Sequence, residues 1–194
     1  MNSMNVDDIV KILNGKGKVI AIKTDTVYGL VCNAFDKTAV SNIYRIKNRE
    51  SKKPLSIFVR DIFMVDKYAD TTRLTIYEKS IMSKYWPGAL TIVFRKKDDS
   101  LNHLLSGLNS IGIRIPNDET LLKILDKVDY PLAETSCNIS GEKEFVSAKE
   151  IKEAFDDKID LIVDGGIIAN NKPSTVISLE SEVPVILRAG DIEI

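Results

Sequence analysis

The chain has 194 residues, enough for one domain with a sizeable core. Its 27 basic and 28 acidic side chains leave a formal charge of −1, which argues against a protein that coats nucleic acid indiscriminately. Hydrophobic residues at 44% and charged residues at 28% are ordinary for a globular chain, and no apolar run approaches the roughly 18 residues that span a bilayer.

Val6, Ile9, Val10 and Leu13 have helical spacing, with acids in the first turn and Gly15 just beyond, so a helix is predicted over 6–13. Acids among the apolar residues leave no signal-peptide core between Met1 and Lys11, and a cytoplasmic location is expected. Residues 18–23 read as a buried strand and 30–35 as a second. Asp36 is placed to cap a helix carrying Ala39, Val40, Ile43 and Ile46 on one face, running into a cationic segment and ended by Pro54. A short strand over 55–59 and helices over 62–68 and 73–85 come next. Trp86-Pro87-Gly88 breaks the pattern before a strand over 90–94. The charged stretch 95–100 reads as a solvated loop. Residues 110–115 alternate like a strand closed by Pro116, Asn117 is placed to cap a helix through Val128, and 131–135 is a strand leading into a polar turn, 136–141. Ser147 and Glu150 have the spacing of a capping box for a helix to Phe155, and strands at 161–163, 175–179 and 183–187 complete the set. Such βα units with late hairpin-like strands predict a single α/β domain over 1–194 with a mixed sheet and flanking helices.

The string Lys23-Thr24-Asp25-Thr26-Val27-Tyr28-Gly29-Leu30 ends a strand in a polar turn closed by glycine, the place where an open α/β sheet tends to hold its ligand. It reads either as an ordinary strand-to-strand turn or as one wall of a site. In the second reading Thr24 and Thr26 offer hydroxyls, Tyr28 offers packing or a hydroxyl, and Asp25 orients its neighbours or a metal-bound water. Downstream, five of the nine residues 45–53 are basic. Such a run can be a solvated helix end that complements the helix dipole. Yet Lys47, Arg49 and Lys53 cannot share one helical stripe, and a guanidinium fork among point-charge ammoniums suits a phosphate chain.

Ser136-Cys137-Asn138-Ile139-Ser140-Gly141 is a third polar segment after a strand, able to contact a phosphate or a base edge, or simply to open a helix. Ser110 and Arg114, four apart on one strand, face the same way. Flanked by Ile113 and Ile115, Arg114 requires a partner, either an internal acid or a substrate carboxylate. Ser174 and Arg188 add a last hydroxyl turn and a strand-end cation. The two phosphate-binding loop motifs, metal-ligand spacings and a nucleophile elbow are absent from the sequence, the two cysteines are far apart, and the one histidine, His103, reads as a surface residue. Cations and hydroxyls without a nucleophile suit chemistry done by positioning, such as nucleotidyl transfer.

The strings KTDTVYGL, KNRESKKPL, WPGALTIVF, IGIRIP, TSCNISG, VDGG, PSTVI and ILRAG, in that order over roughly residues 18–190, resemble the YrdC/TsaC family of L-threonylcarbamoyladenylate synthases in its single-domain form. The resemblance implies a twisted, mixed sheet with a large cationic cavity. It also implies an enzyme that joins L-threonine, bicarbonate or carbon dioxide, and ATP into threonylcarbamoyl-AMP and pyrophosphate, with magnesium as the counter-ion of ATP. The product would feed a partner transferase that modifies adenosine in tRNA, with at most weak tRNA binding by this chain and no membrane partner. Carried over by motif, Thr24, Lys53, Arg114 and Ser174 would line the threonine pocket beside the Ala133 backbone. Lys47, Arg49, Ser51, Ser110, Thr135, Ser136, Asn138 and Arg188 would contact ATP, with Lys47 and Arg49 as the family's Lys-x-Arg pair. Departures from the family pattern are Lys23 for proline, Cys137 for alanine, Glu134-Thr135 for an apolar or proline-containing pair, and Ala189 for proline. Two other functions compete: a carbamoyl-adenylating module of the hydrogenase-maturation type, and an RNA-binding or ribosome-maturation factor.

Overall fold

The computed structural model describes residues 5–181 and 183–194; residues 1–4, part of the stretch without a signal-peptide core, lie outside them. Helix α1 (Val6–Leu13) forms as the periodicity requires, with the Asn5 side chain accepting from Asp7 N–H and with Ile9 and Leu13 fully buried. Strands β1 (Ile20–Lys23) and β2 (Tyr28–Asn33) make an antiparallel hairpin around the turn at 24–27. Asp36 caps α2 (Lys37–Lys47) by accepting from Thr38 and Ala39 N–H. That helix ends at Asn48, whose left-handed backbone (φ 49°) stops it six residues before Pro54, the terminator read from the sequence.

The remaining elements are β3 (Ser56–Phe58), α3 (Ile62–Tyr68), α4 (Ile76–Tyr85), β4 (Leu90–Arg95), β5 (Ser110–Arg114), α5 (Glu119–Lys127), β6 (Leu132–Ser136), α6 (Ala148–Phe155), β7 (Leu161–Val163), β8 (Thr175–Ser178) and β9 (Val185–Arg188). Caps account for the shifted helix boundaries, while β2 begins two residues earlier and β9 two residues later than the sequence pattern predicts. Thr75 and Glu78 form a complete capping box, so α4 starts after residue 75 rather than at 73. Asp118, not Asn117, caps α5. At α6 Ser147 accepts from Glu150 N–H, but the Glu150 carboxylate turns to Val146 N–H instead of completing the box. His103 is half-buried, its Nε2 2.8 Å from the Ala34 carbonyl oxygen, rather than a free surface residue.

The nine strands form one sheet in the order β7-β1-β2-β6-β3-β5-β4-β8-β9, with β1–β7, β3–β5 and β4–β8 parallel and the other neighbours antiparallel. Alternation along each strand sends side chains to opposite faces. One face carries the larger core, in which Ala39, Ile43, Met64, Val65, Ile81, Met82, Ile151 and Phe155 bring α2, α3, α4 and α6 onto Leu30, Ile57, Ile92, Ile113 and Ile177. The other face is divided. At the β1–β2–β6–β3 end, Ile20, Ile22, Val31, Phe58 and Leu132 pack under Ile9 and Leu13 of α1 and Leu121, Ile124 and Leu125 of α5. Each such buried aliphatic is worth roughly 1.5–3 kcal/mol relative to exposure, which holds both helices down. Beyond Phe58 and Leu132 no helix of the described residues covers this face, and the open floor mixes Ser56, Ser110, Thr91 and Glu134 with Val93 and Val176.

Candidate active site

The uncovered part of the sheet is the floor of a cavity of about 500 Å³. Two residues on from Leu132 comes Glu134, and two before Phe58 comes Ser56, so the same faces of β6 and β3 change from apolar to polar within one alternation. Ser56 and Glu134 are cross-strand partners, and the Ser56 hydroxyl donates to Glu134 Oε1. On β5 the cavity face reads Ser110, Gly112, Arg114 while Ile111 and Ile113 enter the larger core. On β4 it reads Thr91 and Val93, with Leu90, Ile92 and Phe94 behind. Gly112 keeps the floor low, because a Cβ there would stand 3.2 Å from Ser56 Cβ.

The walls supply three guanidiniums. Arg188 donates through Nε to the Ser174 carbonyl (3.0 Å) and through Nη2 to Ser174 Oγ (3.0 Å), while that hydroxyl also bonds Thr91 Oγ1 at 2.8 Å. Arg49 donates to the carbonyls of Lys53 (3.2 Å) and Pro54 (2.9 Å). Neither Arg49 nor Arg188 makes an ion pair with a described residue, and partial desolvation pulls both guanidiniums below their usual range. Arg114 differs. It is paired with Asp25, donates to Thr26 Oγ1 and Gly88 O at 2.9 Å each, and lies over the Phe58 ring at 5.6 Å, on the border between the covered and open halves. The opposing charges in the lining are Glu134 and Glu180, so the cavity mixes three arginines with two carboxylates.

Seven of the sequence-derived site residues line this cavity together: Arg49, Ser110, Arg114, Thr135, Ser136, Ser174 and Arg188. The other six stand outside its wall. The Thr24 hydroxyl is consumed within its own turn, donating to Val27 O at 2.7 Å and accepting from Thr26 and Val27 N–H. Lys53 is exposed and 3.4 Å from Glu50, and Ser51 faces a separate shallow pocket beside Ser106. Ala133 sits inside the larger core with its backbone paired to Cys32 and Ile57.

Lys47 and Asn138 act on each other. The buried Lys47 ammonium donates to Asn138 O (2.9 Å), Asn138 Oδ1 (2.6 Å) and Ser136 O, so all three protons go to one turn. Ser136 Oγ donates to the same Oδ1, and Ser140 N–H to the Lys47 carbonyl. Lys47 therefore clamps the 136–140 turn whose first residue lines the cavity. Burial, then the nearby Arg49 charge, lowers its pKa to about 8, while burial raises the adjacent Cys137 thiol to about 12. Both cysteines are free and buried.

Tyr28 provides both packing and a hydroxyl: fully buried, it accepts from Gly165 N–H (3.0 Å) and donates to Gly166 O (2.8 Å). Lys23, one of the departures from the family pattern, lies against Gly165, where a Cβ would come within 2.5 Å of the Lys23 stem. Sequence reasoning missed Ser56, Thr91, Gly112 and Glu180 as lining residues. The alternation Leu90-Thr91-Ile92-Val93-Phe94 carried a signal for Thr91; Glu180, set by the β8–β9 hairpin, had none.

A family model named Sua5/YciO/YrdC, described as "Telomere recombination", matches residues 13–190. A Methanocaldococcus jannaschii protein named "Putative threonylcarbamoyl-AMP synthase" is 41% identical over 184 residues, 95% of this chain and 84% of its own length. The threonylcarbamoyl-AMP synthase of Bacillus subtilis is 35% identical over 178 residues, 91% of this chain but 51% of its own length. Among solved structures, the P. abyssi Sua5 crystal structure complexed with L-threonine superposes with a TM-score of 0.88 at 34% identity, covering 95% of this chain and 54% of that one. The chain thus spans about half the length of the Bacillus and P. abyssi proteins it matches.

Proposed function

The chain belongs to the Sua5/YciO/YrdC family, and from that premise we propose that it is a threonylcarbamoyl-AMP synthase working in the cavity over the open half of the sheet. The observation that carries this reading is the gathering around one cavity of hydroxyls with two guanidiniums, Arg49 and Arg188, that have no acid partner among the described residues, in a chain whose homologues bear that name. The substrates are L-threonine, bicarbonate or carbon dioxide, and ATP. The threonine amine adds to carbon dioxide, and the resulting carbamate oxygen attacks the α-phosphorus of ATP as pyrophosphate leaves. No side chain need form a covalent bond, so the protein contributes position and charge.

Among the described residues Arg49 and Arg188 have no acid partner, and both are suited to the triphosphate, where charge builds as the leaving group departs. Ser110, Thr135, Ser136 and Ser174 offer hydroxyls, and Arg114 presents its remaining N–H groups to the carboxylate of threonine. Among the described residues no three His, Cys, Asp or Glu side chains are grouped to hold a metal. The lining carboxylates Glu134 and Glu180 fit as added oxygen ligands to magnesium carried in on the phosphates, which would contribute charge screening. The soluble substrates ATP and L-threonine suit a reaction in the cytoplasm; among the described residues no helix is long and apolar enough to cross a membrane. The product is a reactive mixed anhydride, and a tRNA-modifying transferase is the class of enzyme that would consume it.

The test is to incubate the protein with ATP, magnesium, bicarbonate and L-threonine and to follow pyrophosphate and the adenylate. Release that requires threonine and bicarbonate supports the proposal. A folded protein with no threonine-dependent pyrophosphate overturns it. Turnover only with carbamoyl phosphate would make it a carbamoyl-adenylating module, and salt-sensitive RNA binding without turnover would make it an RNA-binding factor.

A further inference from the structure

Asp25 does not line the cavity, yet its carboxylate is spent on a group that does. Its side chain is 13% exposed and that of Arg114 4%, and the two form the most buried ion pair among the described residues. We propose that Asp25 is a positioning residue that sets affinity for the amino-acid substrate by fixing the Arg114 guanidinium at the edge of the cavity. The inference rests on the reading of that cavity as the threonine site.

The guanidinium is held from four directions. Nε donates to Gly88 O at 2.9 Å, Nη1 to Thr26 Oγ1 at 2.9 Å and Nη2 to Asp25 Oδ1, while Phe58 lies beneath at 5.6 Å. Thr26 is itself held, since its hydroxyl lies 3.0 Å from Thr24 Oγ1, which in turn donates to Val27 O. Asp25 Oδ2 accepts from Asn117 N–H at 3.1 Å, tying the β1–β2 turn to the segment that leaves β5. Both carboxylate oxygens thus accept from protein donors, which fits the role of orienting its neighbours.

Of its five donors, Arg114 keeps one N–H on each terminal nitrogen free. Those two are aimed in advance, and the charge behind them is already matched by Asp25. A substrate carboxylate therefore gains from two oriented donors rather than from a mobile cation, and the gain depends on the orientation. Without the Asp25 charge, Arg114 would be a buried cation lacking its partner and free to turn toward other acceptors.

The experiment compares wild type, Asp25→Asn, Arg114→Ala and the double variant by threonine-dependent pyrophosphate release, L-threonine titration calorimetry and thermal melting. Asp25→Asn should raise KM and Kd for threonine about tenfold or more, with KM for ATP within about twofold. In the Arg114→Ala background the same substitution should change threonine binding little, because its effect passes through the guanidinium. An unchanged threonine affinity in folded Asp25→Asn would overturn the inference, as would an undiminished effect in the Arg114→Ala background. If Asp25→Asn alone fails to fold, the double variant should recover, since it leaves no unpaired charge; a double variant no more stable than the single one would also count against the proposal. Wild type that releases no threonine-dependent pyrophosphate defeats the functional reading itself and this inference with it. Normal wild-type turnover beside an indifferent Asp25→Asn defeats only the role of Asp25.

Discussion

The two halves of one sheet face meet on β3 and β6, which run through both, and differ in what lies over them. At the β1–β2–β6–β3 end, Val31, Phe58 and Leu132 are closed over by α1 and α5. A single alternation further on, Ser56, Glu134 and Gly112 lie open beneath a cavity, and Arg114 resting on Phe58 marks the border. β3 and β6 pair through both regions without a break in register, and the one shift near the cavity lies further out, between β8 and β9 at Val176 and Ile177. Covering requires apolar residues on helix and strand together; where the strands turn polar, leaving the face uncovered avoids burying hydroxyls and charges without partners. The covered half should hold the fold, and the open half should hold the substrates.

The largest expected effect comes from breaking the covered half. Leu125→Ala removes a fully buried side chain from the sheet-facing side of α5 and should lower unfolding free energy by about 2–5 kcal/mol in a denaturant titration. The surviving folded fraction should retain ordinary threonine and ATP affinities. A loss of affinity without a loss of stability would erase the division between halves.

Next in size is Arg188→Ala in the open half. It should reduce kcat/KM for ATP about a hundredfold, roughly 3 kcal/mol, while shifting the melting temperature by only a few degrees. An equal and large fall in both would make Arg188 a structural partner of Ser174 instead.

A smaller, pH-dependent effect tests Lys47, which stands behind the open half without entering it. Its pKa of about 8 in the fold lies below the 10.5 of an ordinary lysine. Between those values the native state holds fewer protons than the unfolded chain, so the stability contribution of Lys47 rises with pH across that window. Activity should move the other way. A neutral amine has two protons for three acceptors, so one contact to Ser136 or Asn138 is lost and the turn loosens. Turnover should fall several-fold from pH 8 to 9, through a step absent from Lys47→Met. A step that persists in Lys47→Met would assign it to another group.

Most of the fold was legible because it rests on local signals. The spacing in α1, the Asp36 cap of α2 and the strand alternation at 110–114 each carry their own chemistry. Helix ends were less legible: Pro54 looked like the terminator of α2, but the left-handed Asn48 acts first. In the site, Arg49, Ser110, Arg114, Thr135, Ser136, Ser174 and Arg188, a set brought together by the motif resemblance, line one cavity. Residue type could not show whether a polar group faces outward or is spent internally. Thr24 and Lys47 carry the right chemistry but direct it into turns, and the internal acid beside Arg114 proves to be Asp25, 89 residues away in the sequence. Glu134 was readable as a carboxylate near the site, whereas its bond to Ser56 needed the pairing of β3 with β6.

The central claim is that the open half of the sheet is where threonine and ATP are brought together. It is tested most directly by a crystal structure of this chain with L-threonine, magnesium and a non-hydrolysable ATP analogue. The account predicts the amino acid against Arg114 and Ser174 and the triphosphate against Arg49 and Arg188, with Lys47 still bonded to the 136–138 turn. Ligands bound at another surface, or Lys47 swung out of that turn onto a phosphate, would contradict it.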